Sequence, residues 1–141
     1  MLKVTTSDLR IRNWLYYTED SRFPMKVCAV GKDWVQMDFE GNEGDCFENN
    51  GDEIYPIPLN KELLKLLCND ESSVDDGYMI EIGGDNYIET SIDETDHVFK
   101  LTPTISCDEY TIGADIHNVH ELQNLYHALT GKELNIKREW L

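Results

Sequence analysis

Cysteine, histidine and carboxylate side chains are where chemistry could begin in this 141-residue chain. The four cysteines, Cys28, Cys46, Cys68 and Cys107, stand far apart, so there is no Cys-x-x-Cys zinc or redox motif. One nucleophilic arrangement can be assembled from sequence neighbours: Cys107 with His117 or His120 and Asp115. It rests on proximity alone, and a strand end and a helix start would point these groups to different sides. His117, His120, Glu121 and His127 are the metal candidates. His120 and His127 share a helix face but lie about 10 Å apart along the axis, too far for one ion. His117 and His120 could meet, but without a third ligand, so these read as polar-face histidines. The run Asp38 to Asp45 opens like a calcium loop and then fails. Glu43 stands where the turn glycine belongs, and Asn49 where the bidentate glutamate belongs. There is no Gly-x-Ser-x-Gly elbow, phosphate loop or dinucleotide fingerprint. No catalytic residue, metal ligand or cofactor is therefore expected.

What remains is charge. The chain carries 28 acids against 12 bases, a formal charge of −16. The distribution is uneven. Residues 33–60 hold eight acids and residues 66–99 hold ten, and neither stretch contains a Lys or Arg. Residues 1–32 hold six bases and three acids. Such a surface keeps a protein soluble, and it can also imitate nucleic acid. Sixteen charges correspond to about 27 Å of duplex at one charge per roughly 1.7 Å. A partner with a Lys/Arg-lined channel would be attracted, and salt would weaken the attraction. Direct binding of DNA or RNA is not expected, because like charges repel and no basic patch is clustered. The contact carboxylates would be Asp38, Glu40, Glu43, Asp45, Glu48, Asp52 and Glu53 in one stretch, and Asp75, Asp76, Asp85, Asp93, Glu94 and Asp96 in the other.

The elements that must carry these groups read as α+β. Asn13 to Tyr17, Pro24 to Val30 and Trp34 to Phe39 are strand-like runs separated by turns. They predict a small twisted, SH3-like sheet. Glu40 to Glu53 is a loop with a short strand near Cys46 and Phe47. Ile54 to Leu59 is extended by its prolines. Asn60 caps a short helix, Lys61 to Cys68, with Leu59 and Leu64 placed as a hydrophobic staple and Leu63, Leu66 and Leu67 as its buried face. After a polar linker, residues 69–77, come Tyr78–Ile82, Tyr87–Ile92, His97–Leu101 and Ile105–Ile112. Turns at 83–86, 92–96 and 102–104 make these an antiparallel four-strand meander. The clearest helix closes the chain: Asn118 as N-cap, Glu121 in the first turn, a stripe of Val119, Leu122, Leu125, Tyr126 and Leu129, and Gly131 as C-cap. It is expected to lie across the meander, with residues 133–141 as an edge strand or docked tail. Trp34, Tyr55, Tyr110 and Trp140 read as core. The whole is one domain, 1–141, or two lobes, 1–68 and 77–141.

No apolar run follows Lys3, so no signal peptide is expected, and no stretch reaches the roughly 20 apolar residues of a membrane helix. Three of the cysteines fall in strands or a helix. The thiols are expected to be reduced and mostly buried in a cytoplasmic protein.

Three segments carry a resemblance: Asp8-Leu9-Arg10-Ile11-Arg12-Asn13-Trp14-Leu15, Tyr55-Pro56-Ile57-Pro58-Leu59, and His117 to Gly131. Together they resemble a group of small uncharacterised accessory proteins from phages and prophages of Bacteroides-type bacteria. The likeness spans most of the chain. Members usually carry a glycine where Arg12 stands. The resemblance implies a mobile-element protein acting inside a bacterial cell and brings no catalytic residues with it. Joined to the charge pattern, it leads to a non-catalytic acidic interaction protein that mimics nucleic acid and blocks a host nuclease or defence effector of CRISPR or restriction type. The alternatives are an accessory or assembly protein with an apolar contact, such as a homodimer through a strand edge or Trp140, and a hydrolase using Cys107.

Overall fold

Alternating apolar and polar side chains draw the first third of the chain into an antiparallel sheet. The computed structural model describes residues 3–68, 77–83, 86–95, 98–105, 110–111 and 115–141. The fold is α+β, with two sheets and two α-helices among the described residues. The chain divides into two compact units, Met1–Ile57 with Val119–Asn124, and Pro58–Asn118 with Leu125–Leu141.

In the first unit, β1 (Trp14–Tyr16), β2 (Pro24–Val30), β3 (Trp34–Asp38), β4 (Phe47–Asn50) and β5 (Tyr55–Pro56) form a sheet in the order β4-β3-β2-β1-β5. All its pairings are antiparallel. Residues two apart on a strand share a face. Leu15, Met25, Val27, Val35 and Met37 thereby build a buried cluster, and Leu9, Tyr17, Phe23, Val30, Phe39 and Ile54 pack around it. Burying each such aliphatic side chain contributes about 1.5–3 kcal/mol. Trp34 departs from expectation. It is 37% exposed, at the start of β3, and its indole covers Gly31, where an added Cβ would strike the ring. Trp14 is the buried tryptophan, and the Lys26 ammonium lies 5.0 Å from its ring centroid.

The turn before β1 holds a non-glycine residue in the left-handed region: Arg12, with φ 79°. Its N–H donates to the Val27 carbonyl at 2.8 Å, which pins the conformation to β2. A side chain in this region costs roughly 1–2 kcal/mol. Arg12→Gly relieves that strain, and the extra freedom of the unfolded chain offsets part of the gain. We expect a net stabilisation of about 0.5–1 kcal/mol. A urea midpoint below that of the parent would show the turn to be unstrained.

In the second unit, Asn60 caps α1 (Lys61–Leu67) through its side-chain oxygen, which accepts from the Leu63 N–H at 2.8 Å. Leu59 and Leu64 are both buried, as a staple requires. The inner face differs from the expected one. Leu63 and Leu64 are buried, Leu67 is half-buried, and Leu66 is 46% exposed. At about 100° per residue, Leu66 points roughly 110° away from the direction that Leu63 and Leu64 share.

The second sheet has the order β6-β7-β8-β9, all antiparallel: β6 (Gly77–Gly83), β7 (Asn86–Thr95), β8 (Val98–Ile105) and β9 (Tyr110–Thr111). Its strands overrun two expected turns. Ile92 to Thr95 continues β7, and Thr95 pairs with Val98. Thr102-Pro103-Thr104 lies inside β8, with Pro103 opposite Thr90. Among the described residues, β9 pairs with β8 at Thr104 and Ile105. Ile105, expected to open the fourth strand, belongs to β8, and residues 106–109 and 112 of that expected strand lie outside the described residues. Residues 84–85, within the first expected turn, lie outside the described residues, but Gly83 and Asn86 pair across it.

The last helix, α2, is Val119–Thr130, and Gly131 closes it at φ 70° with its N–H donating to the His127 carbonyl at 2.8 Å. A residue with a Cβ is disfavoured at that angle. Asn118 occupies the N-cap position, yet its side chain makes no capping bond. The Val119 N–H donates instead to the Ile57 carbonyl at 2.8 Å. The buried residues of α2 are Val119, His120, Leu122 and Gln123, while Leu129 is 37% exposed. The buried arc of the first turns is thus rotated roughly 75° from the expected stripe. The tail forms no strand. Leu134 and Ile136 are buried, and a 3-10 turn spans Arg138–Trp140.

Candidate functional site

The first acidic stretch is carried by the β3–β4 connection. Asp38 ends β3, half-buried, and its partner across the β2–β3 ladder is Lys26. Glu40, Glu43 and Asp45 follow in the loop, all exposed. Glu48 is exposed on β4, at the edge of the sheet, and accepts from the Gln36 amide at 3.1 Å. Asp52 is exposed, and half-buried Glu53 accepts from the Asn50 amide at 2.9 Å. The loop is internally braced. The Gly41 N–H lies 3.2 Å from both Glu43 carboxylate oxygens. Glu43's own backbone N–H, with that of Gly41, holds its carboxyl below the usual carboxylate range. Five exposed carboxylates therefore follow one another over this connection, the edge strand and the turn after it, in a segment without Lys or Arg.

The second acidic stretch is only partly described. Asp75, Asp76, Asp85 and Asp96 lie outside the described residues. Asp93 and Glu94, expected in a turn, belong to β7, where their ladder partners are Lys100 and Phe99.

The first unit also holds a polar cluster that the sequence analysis did not single out. Gln123, buried, accepts from the Trp14 N–H at 2.9 Å and donates to the Arg12 carbonyl at 3.0 Å. Asn13, fully buried, accepts from the Arg10 N–H at 2.7 Å and donates to the Asn124 side chain at 2.8 Å. The Arg10 guanidinium also donates to Asn124, at 3.2 Å, and Asn124 donates to the Asp8 carbonyl at 3.0 Å. These bonds satisfy the backbone of the turn before β1. Their signal in sequence was slight: two adjacent amides, Gln123 and Asn124, beside apolar helix positions.

His120 is buried as well, contrary to a polar-face reading, and its Nδ1 has no hydrogen-bond partner. Burial holds its imidazole below the ordinary range, opposed in part by Glu121 and Asp8. The folded protein therefore takes up a proton at His120 less readily than the unfolded chain, which takes one up below about pH 6.5. The contribution of this group to stability is fully present above that pH and is lost as the pH falls below it, by up to about 1.4 kcal/mol per pH unit. We expect His120→Leu to flatten this decline, measured by urea denaturation at about pH 7.5 and about pH 5.5. Equal losses in both proteins would assign the slope to other groups.

The remaining candidates fall out as follows. Cys107 lies outside the described residues, so the Cys107–His–Asp115 arrangement has no described geometry. Of the other cysteines none is buried: Cys28 and Cys68 are half-buried and Cys46 is exposed. Cys28 and Cys46, distant in sequence, bring their sulfurs to 3.2 Å. Four aromatic rings, also unforeseen as a group, extend one end of the first sheet's core. Tyr17 meets Phe47 edge-on at 5.3 Å, Phe23 meets Phe39 at 5.3 Å, and Phe39 stacks with Phe47 at 6.2 Å. Tyr55 and Trp140 are half-buried, and the Tyr110 side chain lies outside the described ones. Among the described residues no three His, Cys, Asp or Glu side chains group as a metal ion would require, and no helix is long and apolar enough to cross a membrane. No protein-family model, curated protein or solved structure matches the chain.

Proposed function

We propose that the protein is a non-catalytic acidic interaction protein of a bacterial mobile element. In this reading it occupies the nucleic-acid channel of a host nuclease or defence effector, of CRISPR or restriction type, inside the bacterial cell. One observation carries it: Glu40, Glu43, Asp45, Glu48 and Asp52 are exposed in succession where no Lys or Arg intervenes. The brace between Glu43 and Gly41 supports it further, because a pre-shaped anionic loop loses less entropy on docking than a free one. The same reading takes the five-strand sheet as an SH3-like half-barrel and the second sheet as a meander.

The test is capture of host proteins on the immobilised protein at about 0.1 M and about 0.5 M salt, with duplex DNA as competitor. A nucleic-acid-binding partner released by both salt and DNA is expected. Retention of the same partner in the presence of excess duplex would defeat the proposal.

A second reading is an accessory or assembly protein with an apolar contact, including a homodimer. Trp34 and Phe47, each 37% exposed, favour it. Such a contact survives about 0.5 M salt, where the Debye length is only a few ångströms.

A further inference from the structure

Cys28 sits in β2, and Cys46 immediately precedes β4, with β3 between those strands in the sheet. The ladder explains how they meet. Val27 pairs with Met37 and Ala29 with Gln36, so Cys28 is the extra residue of a bulge. A bulge bends its strand and re-aims a side chain. On the other side of β3, Met37 pairs with Phe47, the residue after Cys46. Both cysteines thus approach β3 near Met37, from its two sides. Their sulfurs are 3.2 Å apart, as in a thiol–thiol hydrogen bond. About 1 Å of further approach reaches the S–S bond length of about 2.05 Å.

We propose that Cys28 and Cys46 are a reversible dithiol–disulfide pair, oxidised by exchange with a small-molecule disulfide such as glutathione disulfide. Cys46 is exposed and reacts first. Its thiolate attacks one sulfur of glutathione disulfide, that S–S bond breaks, and one glutathione thiolate leaves and takes up a proton. Cys28 then gives up its proton and attacks the Cys46 sulfur, and the second glutathione leaves. Two protein thiols lose two electrons, and one glutathione disulfide becomes two glutathiones. Burial pushes the Cys28 thiol up to about 11, helped by the neighbouring Cys46 thiol and the Asp38 carboxylate. Closure by Cys28 therefore quickens with pH as the thiolate fraction grows. The bond ties β2 to the point where the acidic loop re-enters the sheet.

The experiment holds the full-length protein in glutathione redox buffer, quenches with acid, alkylates free thiols, and reads the intact mass and a peptide map. The expected product has lost two hydrogens, yields a linked peptide containing Cys28 and Cys46, and returns to the dithiol with dithiothreitol. Cys28→Ser should stop one step earlier and accumulate one glutathione on Cys46. Cys46→Ser should give no linked peptide. Parent protein that keeps a stable glutathione on Cys46, stays fully reduced, or links either cysteine to Cys68 or Cys107 instead would overturn the proposal.

Discussion

Gln123→Ala is expected to destabilise the fold by about 3 kcal/mol, the largest effect of any polar substitution considered for this chain. The reason lies in what the amide leaves behind. Gln123 is 2% exposed and serves the Trp14 N–H and the Arg12 carbonyl. Truncation strands both backbone groups away from water, at about 1–3 kcal/mol each, and opens a void. A loss of this size lowers the melting temperature by about 10 °C in a chain of this length. Gln123→Leu separates the two causes, since it fills the space and leaves the backbone groups unpaired. We expect it to cost nearly as much as alanine. A leucine variant as stable as the parent would mean that volume, not hydrogen bonding, explains the position.

Reversing charge in the β3–β4 loop and the turn after β4 is expected to act on binding and spare folding. Glu40, Asp45 and Asp52 are exposed. Glu40→Lys, Asp45→Lys and Asp52→Lys together should weaken the partner's affinity by about two orders of magnitude at about 0.1 M salt, at about 1 kcal/mol per reversed charge. The difference between variant and parent should shrink steeply by about 0.5 M salt. Thermal stability should stay within about 1 kcal/mol, because surface positions away from caps and networks tolerate substitution. Unchanged affinity in the folded triple variant would remove the electrostatic reading and leave the apolar contact.

Local signals were legible where one segment settles its own backbone. Asn60 caps α1 as its position implied, Gly131 ends α2 in the left-handed region, and β2 spans the residues its alternation marked. Legibility failed where the deciding partner lies far along the chain. Gln123 stands outside the apolar stripe of α2, and only Arg12 and Trp14, far away in sequence, supply the bonds that bury it. Asp93 and Glu94 look like a turn until β8 offers them ladder partners, and pairing then outweighs their low strand propensity. Pro103 looks like a turn, but it lies inside β8 and pairs with Thr90 of β7. The meeting of Cys28 and Cys46 depends on a bulge, which spacing along the chain does not encode.

The membership of Val119–Asn124 in the first unit has a practical consequence for dissecting the protein. A fragment ending at Ile57 keeps all five strands of the first sheet but loses Gln123 and Asn124, on which the Arg12 carbonyl, the Trp14 N–H and Asn13 depend. Such a fragment should remain a loose, aggregation-prone chain on its own. Adding back a synthetic peptide that carries α2 should restore order in trans, as in split-protein complementation.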